Sequence, residues 1–387
     1  MIDAKLLNLK VEATESAIST QPPGNSPQDA EGKTQFNEIF DEKIQELINE
    51  RASLAKKIGL TKEKNGSSTD YYKPEREADV LNLVQKRNKG PINNEEMVRL
   101  FREIMSACLA QQEPLKIGFL GPEGTFTQAA VYKHFGHSVK ALPFGAIDEV
   151  FQEVESNVAD FGVVPIENST EGTVNNTLDM FVTSPLKICG EVELKINHHL
   201  IGKMDNIRNI QRICAHEQAL SQCRGWIREH LRDVELVGVS SNAAGARRAR
   251  DEDGTAAIGS EIASDIYDLN ILIKNIEDRP DNATRFLVVG RNVISKSGND
   301  KTSIIISNDD TKTGSGVLYS MLQPFSQNKI NITRIESRPS HKKNWDYVFF
   351  LDLDGHIDDP VLASSLKSVE KNCSLFRVLG SYPKAID

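Results

Sequence analysis

The stretch from Phe161 to Asn175, FGVVPIENSTEGTVN, sets the architecture of the largest part of the chain. Its apolar run FGVVPI has the length of a buried strand, and the polar segment ENSTEGT follows it without a break. Similar runs lie between residues 114 and 291, separated by helical stretches: LKIGFL, RICA, VELVGV, AAIG and RFLVVG. Strands that alternate with helices predict an α/β domain built on parallel strands.

Polar loops follow four of these strands directly: GPEGTFT, ENSTEGT, HEQ and SSNA. In open α/β sheets, ligands bind beyond the carboxyl ends of the strands, where loop amides and helix N-termini converge. These loops supply hydroxyls, amides and backbone donors but hardly any strong acid or base. The sequence therefore predicts one shared cleft that holds a small polyanion through neutral donors.

Several residues in this region have side chains capable of chemistry: Glu167, Asn168, Ser169, His216, Gln222, Thr284 and Arg285. Each has a structural alternative, because Asn and Ser after a strand commonly cap the next helix, and a Thr can simply begin a strand. GPEGTFT also lacks the Lys-Ser/Thr of a P-loop. From the residues alone, the interpretation stops at an anion-binding α/β cleft.

The first of three helical segments upstream carries a charge on an apolar seam. The seam recurs every three or four residues: Phe40, Ile44, Leu47, Leu54 and Ile58. Arg51 occupies one further seam position, and we expect the helix to end at Gly59, a frequent C-cap residue. An unpaired buried charge costs several kcal/mol, so Arg51 needs an anion. Glu77 in a structural ion pair and a bound ligand remain equally open.

Two more helices complete an all-helical domain that ends near Gln112. We expect one to begin at Pro74, a favoured first-turn residue, and the other at Asn93, with Glu96 three residues on as in a capping box. Ahead of all three, residues 13–33 are rich in Ser, Pro, Gly and acids, which predicts a disordered tail.

A third unit follows the linker SKSGNDK. Its segments read strand, helix, strand, strand, helix, strand: KTSIIIS, GVLYSMLQPF, INITRIES, WDYVFFLDLDG, the segment from Pro360, and LFRVLGSY. This βαββαβ order predicts a ferredoxin-like α+β domain. The edge strand of so small a sheet favours pairing with a second copy of the chain.

The composition excludes several classes of function. The 387 residues carry a net charge of −9, with 46 basic and 55 acidic residues and no basic block, which disfavours binding to nucleic acid or to a membrane surface. Five cysteines without a CxxC pair indicate reduced thiols, and the absence of a secretory signal favours the cytoplasm. The His pairs 134/137 and 198/199 lack partners for a metal, so no metal is expected.

Blocks along the chain resemble one known family. Six blocks stand in order between Gly121 and Pro383: GPEGTFT, FGVVPIENSTEGTVN, AHEQAL, NATRF, TRIESRP and LGSYP. They resemble those of prephenate dehydratases that end in an ACT domain. Upstream, INERASLAKKIG and YKPEREADVL resemble the all-helical chorismate mutase. From about Lys33 to its end, the chain therefore resembles the bifunctional bacterial P-proteins.

The resemblance implies four regions. They are a disordered tail (1–33), a helical mutase domain (34–113), an α/β dehydratase domain like periplasmic binding proteins (114–292) and an ACT regulatory domain (302–387). It implies that chorismate is rearranged to prephenate, and that prephenate loses water and CO2 to give phenylpyruvate in phenylalanine biosynthesis. Phenylalanine would inhibit at the ACT domain. The resemblance implies no metal or organic cofactor, and a cytoplasmic homodimer is what the residues themselves lead us to expect.

The resemblance also assigns the mutase residues. Arg51 matches a carboxylate-binding arginine, Lys62 and Gln112 match donors to the breaking ether oxygen, and Arg76 with Glu77 match a pair on the second helix. A pericyclic rearrangement needs no acid, base or nucleophile. Such donors suffice because they favour the charge that develops in the transition state.

Two positions depart from the family's mutase pattern. Thr34, next to Lys33, stands where the family has an arginine that reaches into the partner's site, and loss of that cation would cost about two to three orders of magnitude in rate. Lys73 replaces an acid at a peripheral contact. An alternative is therefore a monofunctional dehydratase with a degenerate, dimerising mutase domain. A non-catalytic metabolite sensor is another alternative, although no DNA-reading helix is evident.

For the dehydratase, the resemblance makes Thr284 the catalytic residue that assists the departing hydroxyl. A threonine is a weak acid and needs a polarising neighbour, for which we expect Glu167, His216 or a water molecule. Positioning roles fall to Asn168, Ser169, His216, Gln222 and Ser241, with Arg285 as the partner of a substrate carboxylate. Ala215 replaces a serine common before this histidine.

For the regulatory domain, the resemblance implies a phenylalanine pocket built from two elements. The first is the start of a helix, Gly316, Val317 and Leu318, and the second is the ESRP element with Glu336, Ser337 and Arg338. From the residues alone, both are ordinary turn-like segments.

Overall fold

A computed structural model describes residues 27–64, 72–308, 316–339 and 347–386 of the chain, with the side chains of the first helix described from Asn37 to Thr61. The chain divides into two compact units, residues 1–54 and 55–387, and each is described by itself. None of the described helices is both long enough and apolar enough to cross a membrane.

Helix α1 (Pro27–Lys64) carries the apolar seam. The seam residues are exposed, Phe40 by 63% and Leu54 by 59%. The helix begins within the expected tail, where a proline suits the first turn, and residues 1–26 lie outside the described part. Helix α1 does not end at Gly59, so the expectation that this glycine is its C-cap is wrong. Gly59 is buried against Gln112, whose Cγ would lie 2.8 Å from an added Cβ, and the glycine therefore serves a close helix contact.

Helices α2 (Pro74–Arg87) and α3 (Asn94–Ala110) begin where the sequence predicts. Pro74 opens the first turn of α2. The side chain of Asn93 accepts a hydrogen bond from the backbone N–H of Glu96 at 2.8 Å, which caps α3. Both predictions are confirmed.

The α/β region forms two lobes rather than a single sheet. In the first lobe the strand order is β2-β1-β3-β11-β5, with β4 paired to β3. Its strands are β1 (Lys116–Leu120), β2 (Lys140–Phe144), β3 (Phe161–Asn168), β4 (Gly172–Thr173), β5 (Lys187–Lys195) and β11 (Ala283–Gly290). Its helices are α4 (Phe126–Phe135), α5 (Ile147–Glu155) and α6 (Asn175–Thr183).

The second lobe has the strand order β10-β6-β9-β7-β8. Its strands are β6 (His199–Gly202), β7 (Arg212–Ala215), β8 (Glu235–Gly238), β9 (Thr255–Gly259) and β10 (Asn270–Ile273). Its helices are α7 (Glu217–Gln222), α8 (Arg224–His230), α9 (Asn242–Asp251) and α10 (Glu261–Tyr267). The chain crosses between the lobes at residues 196–198 and 274–282.

The two sheets are mixed rather than wholly parallel. β1 pairs in parallel with β2 and β3, but β11 runs antiparallel to β3 and β5 because it returns from the second lobe. The predicted α/β class is confirmed, with the loops after β1 and β3 on one lobe and those after β7 and β8 on the other. The loops that the sequence assigns to one cleft are therefore divided between the two lobes.

The last domain has the predicted βαββαβ order. Its elements are β12 (Asp300–Asn308), α11 (Val317–Gln327), β13 (Ile332–Pro339), β14 (Tyr347–Asp354), α12 (Pro360–Glu370) and β15 (Cys373–Pro383), and its strand order is β13-β14-β12-β15. One face of the sheet packs on α11 and α12 through Phe325 and Leu366. The other face packs on the first lobe, where Phe350 and Tyr382 share a core with Phe181.

Candidate functional site

The pairing of β3 with β11 brings the predicted catalytic residue to its neighbours. Thr284 lies opposite Asn168 in the register, and the Nδ2 of Asn168 donates to the Oγ1 of Thr284 at 2.8 Å. Thr284 is 9% exposed. Since its oxygen already accepts a hydrogen bond, the hydroxyl proton remains free to donate elsewhere. The structure thus brings two of the predicted site residues into contact.

The orientation of the Asn168 amide is fixed by the backbone. Its Oδ1 accepts from the N–H groups of Thr170 at 3.0 Å and Glu171 at 3.1 Å. A carbonyl oxygen must face these donors, so the Nδ2 must face Thr284. Ser169 ties the strand ends together, because its Oγ accepts from the N–H of Ala283 at 2.9 Å.

Asn282 extends this cluster toward the second lobe. Its Oδ1 accepts from the Nδ2 of Asn168 at 3.0 Å, and its Nδ2 donates to the Oε1 of Gln222 at 3.3 Å. The same Gln222 oxygen lies 2.8 Å from the Nε2 of His198. The polar chain therefore runs from Thr284 in the first lobe to α7 in the second.

Asn282 and His198 were missed by sequence reasoning. Asn282 belongs to the block NATRF, in which the sequence assigns roles only to the threonine and the arginine. His198 was considered only as a metal ligand. Both residues lie in the crossovers between the lobes, and the signal that could have found them is a polar residue in such a crossover.

The loop after β1 reaches across to the second lobe. The Oγ of Ser260 donates to the carbonyl oxygen of Gly124 at 3.0 Å, and the hydroxyl of Tyr267 donates to that of Glu123 at 2.9 Å. The ring of Phe126 stands edge-on to His198, with centroids 5.5 Å apart. The N-terminus of α4, a helix of ten residues, consequently lies beside the polar chain.

Two predicted positioning residues act as helix caps. The Nδ1 of His216 accepts from the N–H of Gln218 at 3.3 Å, and the Oγ of Ser241 accepts from that of Ala244 at 3.0 Å. They lie at the ends of β7 and β8, where the loops predict them. Their capping contacts match the structural alternative that the sequence left open.

Glu167 and Arg285 face away from the cleft, because successive residues on a strand point to opposite faces. Glu167 accepts from the Nε of Arg334 at 2.9 Å, so it does not polarise Thr284. Arg285 pairs with Glu191 at 2.7 Å and with Asp352 at 2.6 Å. The expectation that Arg285 binds a substrate carboxylate is therefore wrong.

The mutase residues are described only in part. Arg51 belongs to the first unit, and the side chains of Lys62, Lys33 and Thr34 lie outside the described residues. The Oε1 of Gln112 is buried and has no hydrogen-bond partner in the part of the chain that the structure describes.

Arg76 and Glu77, although adjacent on α2, have different surroundings. Arg76 is exposed, whereas the carboxylate of Glu77 lies 3.7 Å from the Nε of Arg102. Burial raises the pKa of Glu77 to about 7, and the charge of Arg102 opposes that rise. The arginine found beside Glu77 is thus one that the sequence analysis did not consider.

The six predicted phenylalanine-binding residues do not share one face. Glu336 accepts from Thr173 at 2.8 Å, and Arg338 pairs with Asp179 at 2.7 Å, so both face the dehydratase lobe. Ser337 points the other way and is exposed. At the start of α11, Gly316 and Leu318 are exposed, and Val317 is half-buried.

No cluster of three His, Cys, Asp or Glu residues suited to a metal ion occurs among the described residues.

The fold and site define a class: a two-lobed α/β protein whose cleft is lined by neutral amides and hydroxyls, joined to a ferredoxin-like domain. Family models agree along the chain, with chorismate mutase type II matching residues 37–113, prephenate dehydratase 117–293 and the ACT domain 312–371.

Relatives cover nearly the whole chain. A bifunctional chorismate mutase/prephenate dehydratase of Pseudomonas aeruginosa is 51% identical over 351 residues, which cover 90% of this chain and 95% of the relative. That of Aquifex aeolicus is 43% identical, with coverage of 90% and 96%. A prephenate dehydratase of Arthrobacter aurescens, solved in complex with L-Phe, is 35% identical and superposes with a TM-score of 0.64 over 70% of this chain and 90% of its own. The chain belongs to the family of bifunctional chorismate mutase/prephenate dehydratases.

The environment of Glu77 predicts a pH-dependent stability. With a pKa of about 7 in the folded chain against 4.5 when unfolded, Glu77 binds more protons in the folded state. Its contribution is fully present below pH 4.5 and is lost as the pH rises to 7, by at most about 3 kcal/mol. We expect Glu77→Gln to flatten this fall, measured by denaturant unfolding at several pH values. Glu75→Gln, on the same helix, is the control, and parallel curves for wild type and Glu77→Gln would contradict the prediction.

Proposed function

We propose that the Thr284 cluster is the dehydratase site of a bifunctional enzyme that rearranges chorismate to prephenate and converts prephenate to phenylpyruvate. One observation carries this assignment: the Nδ2 of Asn168 donates to the Oγ1 of Thr284 at 2.8 Å. The hydroxyl of Thr284 thus accepts from Asn168 and still has its own proton available to donate.

The conversion of prephenate to phenylpyruvate needs little help from strong acids or bases. In prephenate the bond from the ring to its carboxylate breaks, its electron pair enters the ring, and the bond to the ring hydroxyl breaks as CO2 leaves. The departing hydroxide takes up a proton and leaves as water. Because an aromatic ring forms, the enzyme's main task is to assist that hydroxyl. Thr284, polarised by the N–H of Asn168, donates to it and recovers its proton from solvent.

The carboxylates of prephenate require donors other than Arg285. The N-terminus of α4 and the loop amides after Leu120 offer backbone N–H groups and a favourable helix dipole. Gln222 adds an amide nitrogen that is buried and has no hydrogen-bond partner among the described residues. Neutral donors of this kind bind a dianion without forming an ion pair with the ring carboxylate, which must leave as CO2.

We also propose an active mutase that uses Arg51, Lys62, Arg76, Glu77 and Gln112. In support, relatives that the chain covers over 95% of their length bear both activities in their names. Thr34 is the feature that favours the alternative of a degenerate mutase.

A homodimer forms part of the proposal. α1 presents exposed apolar side chains at seam spacing: Phe40, Ile44, Leu47, Leu54 and Ile58. A helix face of this kind is typical of a surface that packs against another helix. We infer that a second copy of the chain covers it, and that the domains 34–113, 114–292 and 302–387 act as the mutase, dehydratase and regulatory parts of each copy.

Phenylalanine regulation is proposed for the ACT domain. The Arthrobacter relative was solved with L-Phe, and β13 connects the domain to the dehydratase site. Arg334 on β13 donates to Glu167, the residue before Asn168. Ligand binding near Gly316–Leu318 and Ser337 would therefore act on the strand that holds Asn168.

We expect Thr284→Val to reduce phenylpyruvate formation by at least about a hundredfold, because the variant keeps the shape but loses the donor. Thr284→Ser should retain activity, and both variants should convert chorismate to prephenate normally. The measurement is the rate of phenylpyruvate formation from prephenate. Normal turnover by Thr284→Val would exclude the assignment.

For the mutase, Gln112→Leu should lower turnover of chorismate by about a hundredfold, since a donor to the transition state is lost. Gln111→Leu, at the exposed neighbouring position, is the matched control and should be unaffected. Absorbance assays with chorismate and separately with prephenate give both activities. Equal rates for the two variants would remove Gln112 from the mutase site.

For regulation, Asp179→Asn should leave phenylalanine binding intact but weaken inhibition severalfold, because the contact with Arg338 lies between the domains. Calorimetry measures binding, and the dehydratase assay measures inhibition. Calorimetry on Arg338→Ala tests whether Arg338 itself binds phenylalanine, and unchanged binding would count against that role. Inhibition that stays normal in Asp179→Asn would show that this contact carries no signal.

A further inference from the structure

His198 lies in the first crossover between the lobes and is 2% exposed. Its Nε2 is 2.8 Å from the Oε1 of Gln222. Its Nδ1 is buried and has no hydrogen-bond partner within the described residues. A histidine held only for structure usually pairs both ring nitrogens when buried, so the single contact of His198 calls for a different explanation.

The hydrogen-bond directions along the polar chain can be worked out from its fixed end. Two backbone N–H groups in the turn after β3 hold the oxygen of Asn168, so its nitrogen donates to the Oδ1 of Asn282. The nitrogen of Asn282 is then the atom that donates to Gln222. The atom of Gln222 that it meets must be the oxygen.

This order also determines the tautomer of His198. The oxygen of Gln222 can only accept, so the Nε2 of His198 must carry a proton. Burial lowers the pKa of His198, which favours the neutral ring with a bare Nδ1. The oxygen of Gln222 thus accepts two hydrogen bonds, and its amide nitrogen is turned away from both donors.

We infer that His198 is a positioning residue of the dehydratase: its Nε2–H holds the Gln222 oxygen so that the Gln222 amide nitrogen is presented to a carboxylate of the substrate. The inference rests on the proposed function of the Thr284 cluster. Without the Nε2–H, only the 3.3 Å hydrogen bond from Asn282 would hold the Gln222 oxygen. The Gln222 amide would then be fixed less firmly, and its nitrogen would be presented to the substrate for a smaller share of the time.

Two substitutions of matched chemistry test this role. In Gln the amide nitrogen lies three bonds from Cβ, as Nε2 does in histidine, whereas in Asn it lies two bonds from Cβ, as Nδ1 does. We expect His198→Gln to keep kcat/KM within about threefold of wild type and His198→Asn to lose about ten- to a hundredfold. The loss should appear mainly in KM, because a carboxylate contact exists in the ground state as well as in the transition state.

The control is His199→Asn. His199 is the neighbouring buried histidine, and its Nδ1 accepts from the N–H of Asn275 outside the polar chain. An asparagine oxygen can replace that acceptor, so this variant should be near wild type. Unfolding midpoints of all variants separate a loss of function from a loss of stability. If His198→Asn does not fold, His198→Met replaces it, since methionine fills space without an N–H.

A double-mutant cycle completes the test. If His198 acts only through Gln222, His198→Asn should cost nothing further in a Gln222→Met background. Equal activity of the Asn and Gln variants, or additive losses in the cycle, would overturn the inference. Inactivity of Thr284→Val together with normal His198→Asn refutes only the role of His198. An active Thr284→Val refutes the proposed site itself.

Discussion

The antiparallel pairing of β3 with β11 is the constraint on which the rest of the structure depends. Its register sets Thr284 opposite Asn168 and Arg285 opposite Glu167. Because side chains alternate along a strand, the first pair faces the cleft and the second faces the regulatory domain. A slip of one residue would exchange the two faces and remove both the site and the interface.

The regulatory interface is held by buried charges as well as by apolar packing. Glu191 accepts from Lys301 at 2.7 Å and from Arg285 at 2.8 Å, and Arg285 also reaches Asp352. Two cations and two anions thus compensate one another. Buried ion pairs of this kind add little net stability, but leaving one partner alone is costly, so they select one docking orientation of the domain.

Much of the fold follows from local patterns in the sequence. Apolar runs with polar loops predicted the strands on either side of the cleft, and Asn93 with Pro74 predicted the helix starts. The contact of Thr284 with Asn168 does not follow from the predicted parallel strands, in which the start of one strand and the end of another lie at opposite edges of the sheet. It arises because β11 runs antiparallel to β3. The roles of Gly59 and Arg285 could not be predicted from local patterns. Gly59 makes room for Gln112, and Arg285 faces the regulatory domain, and both facts depend on residues distant in the sequence. His198 was missed because its role depends on the direction of its hydrogen bond to Gln222, and the spacing of residues in a sequence does not reveal that direction.

Gly380 lies where the regulatory domain meets the first lobe. It lies on β15 directly against β5, where any added Cβ would overlap the carbonyl oxygen of Ile188. Because Gly380 has no side chain, the β15 and β5 backbones come close together, and any larger residue at this position would push the regulatory sheet away from the first lobe. The first lobe continues into the second lobe through residues 196–198 and 274–282. These crossovers contain His198 and Asn282, so a substitution at Gly380 that moved the first lobe would also disturb the atoms that orient Gln222.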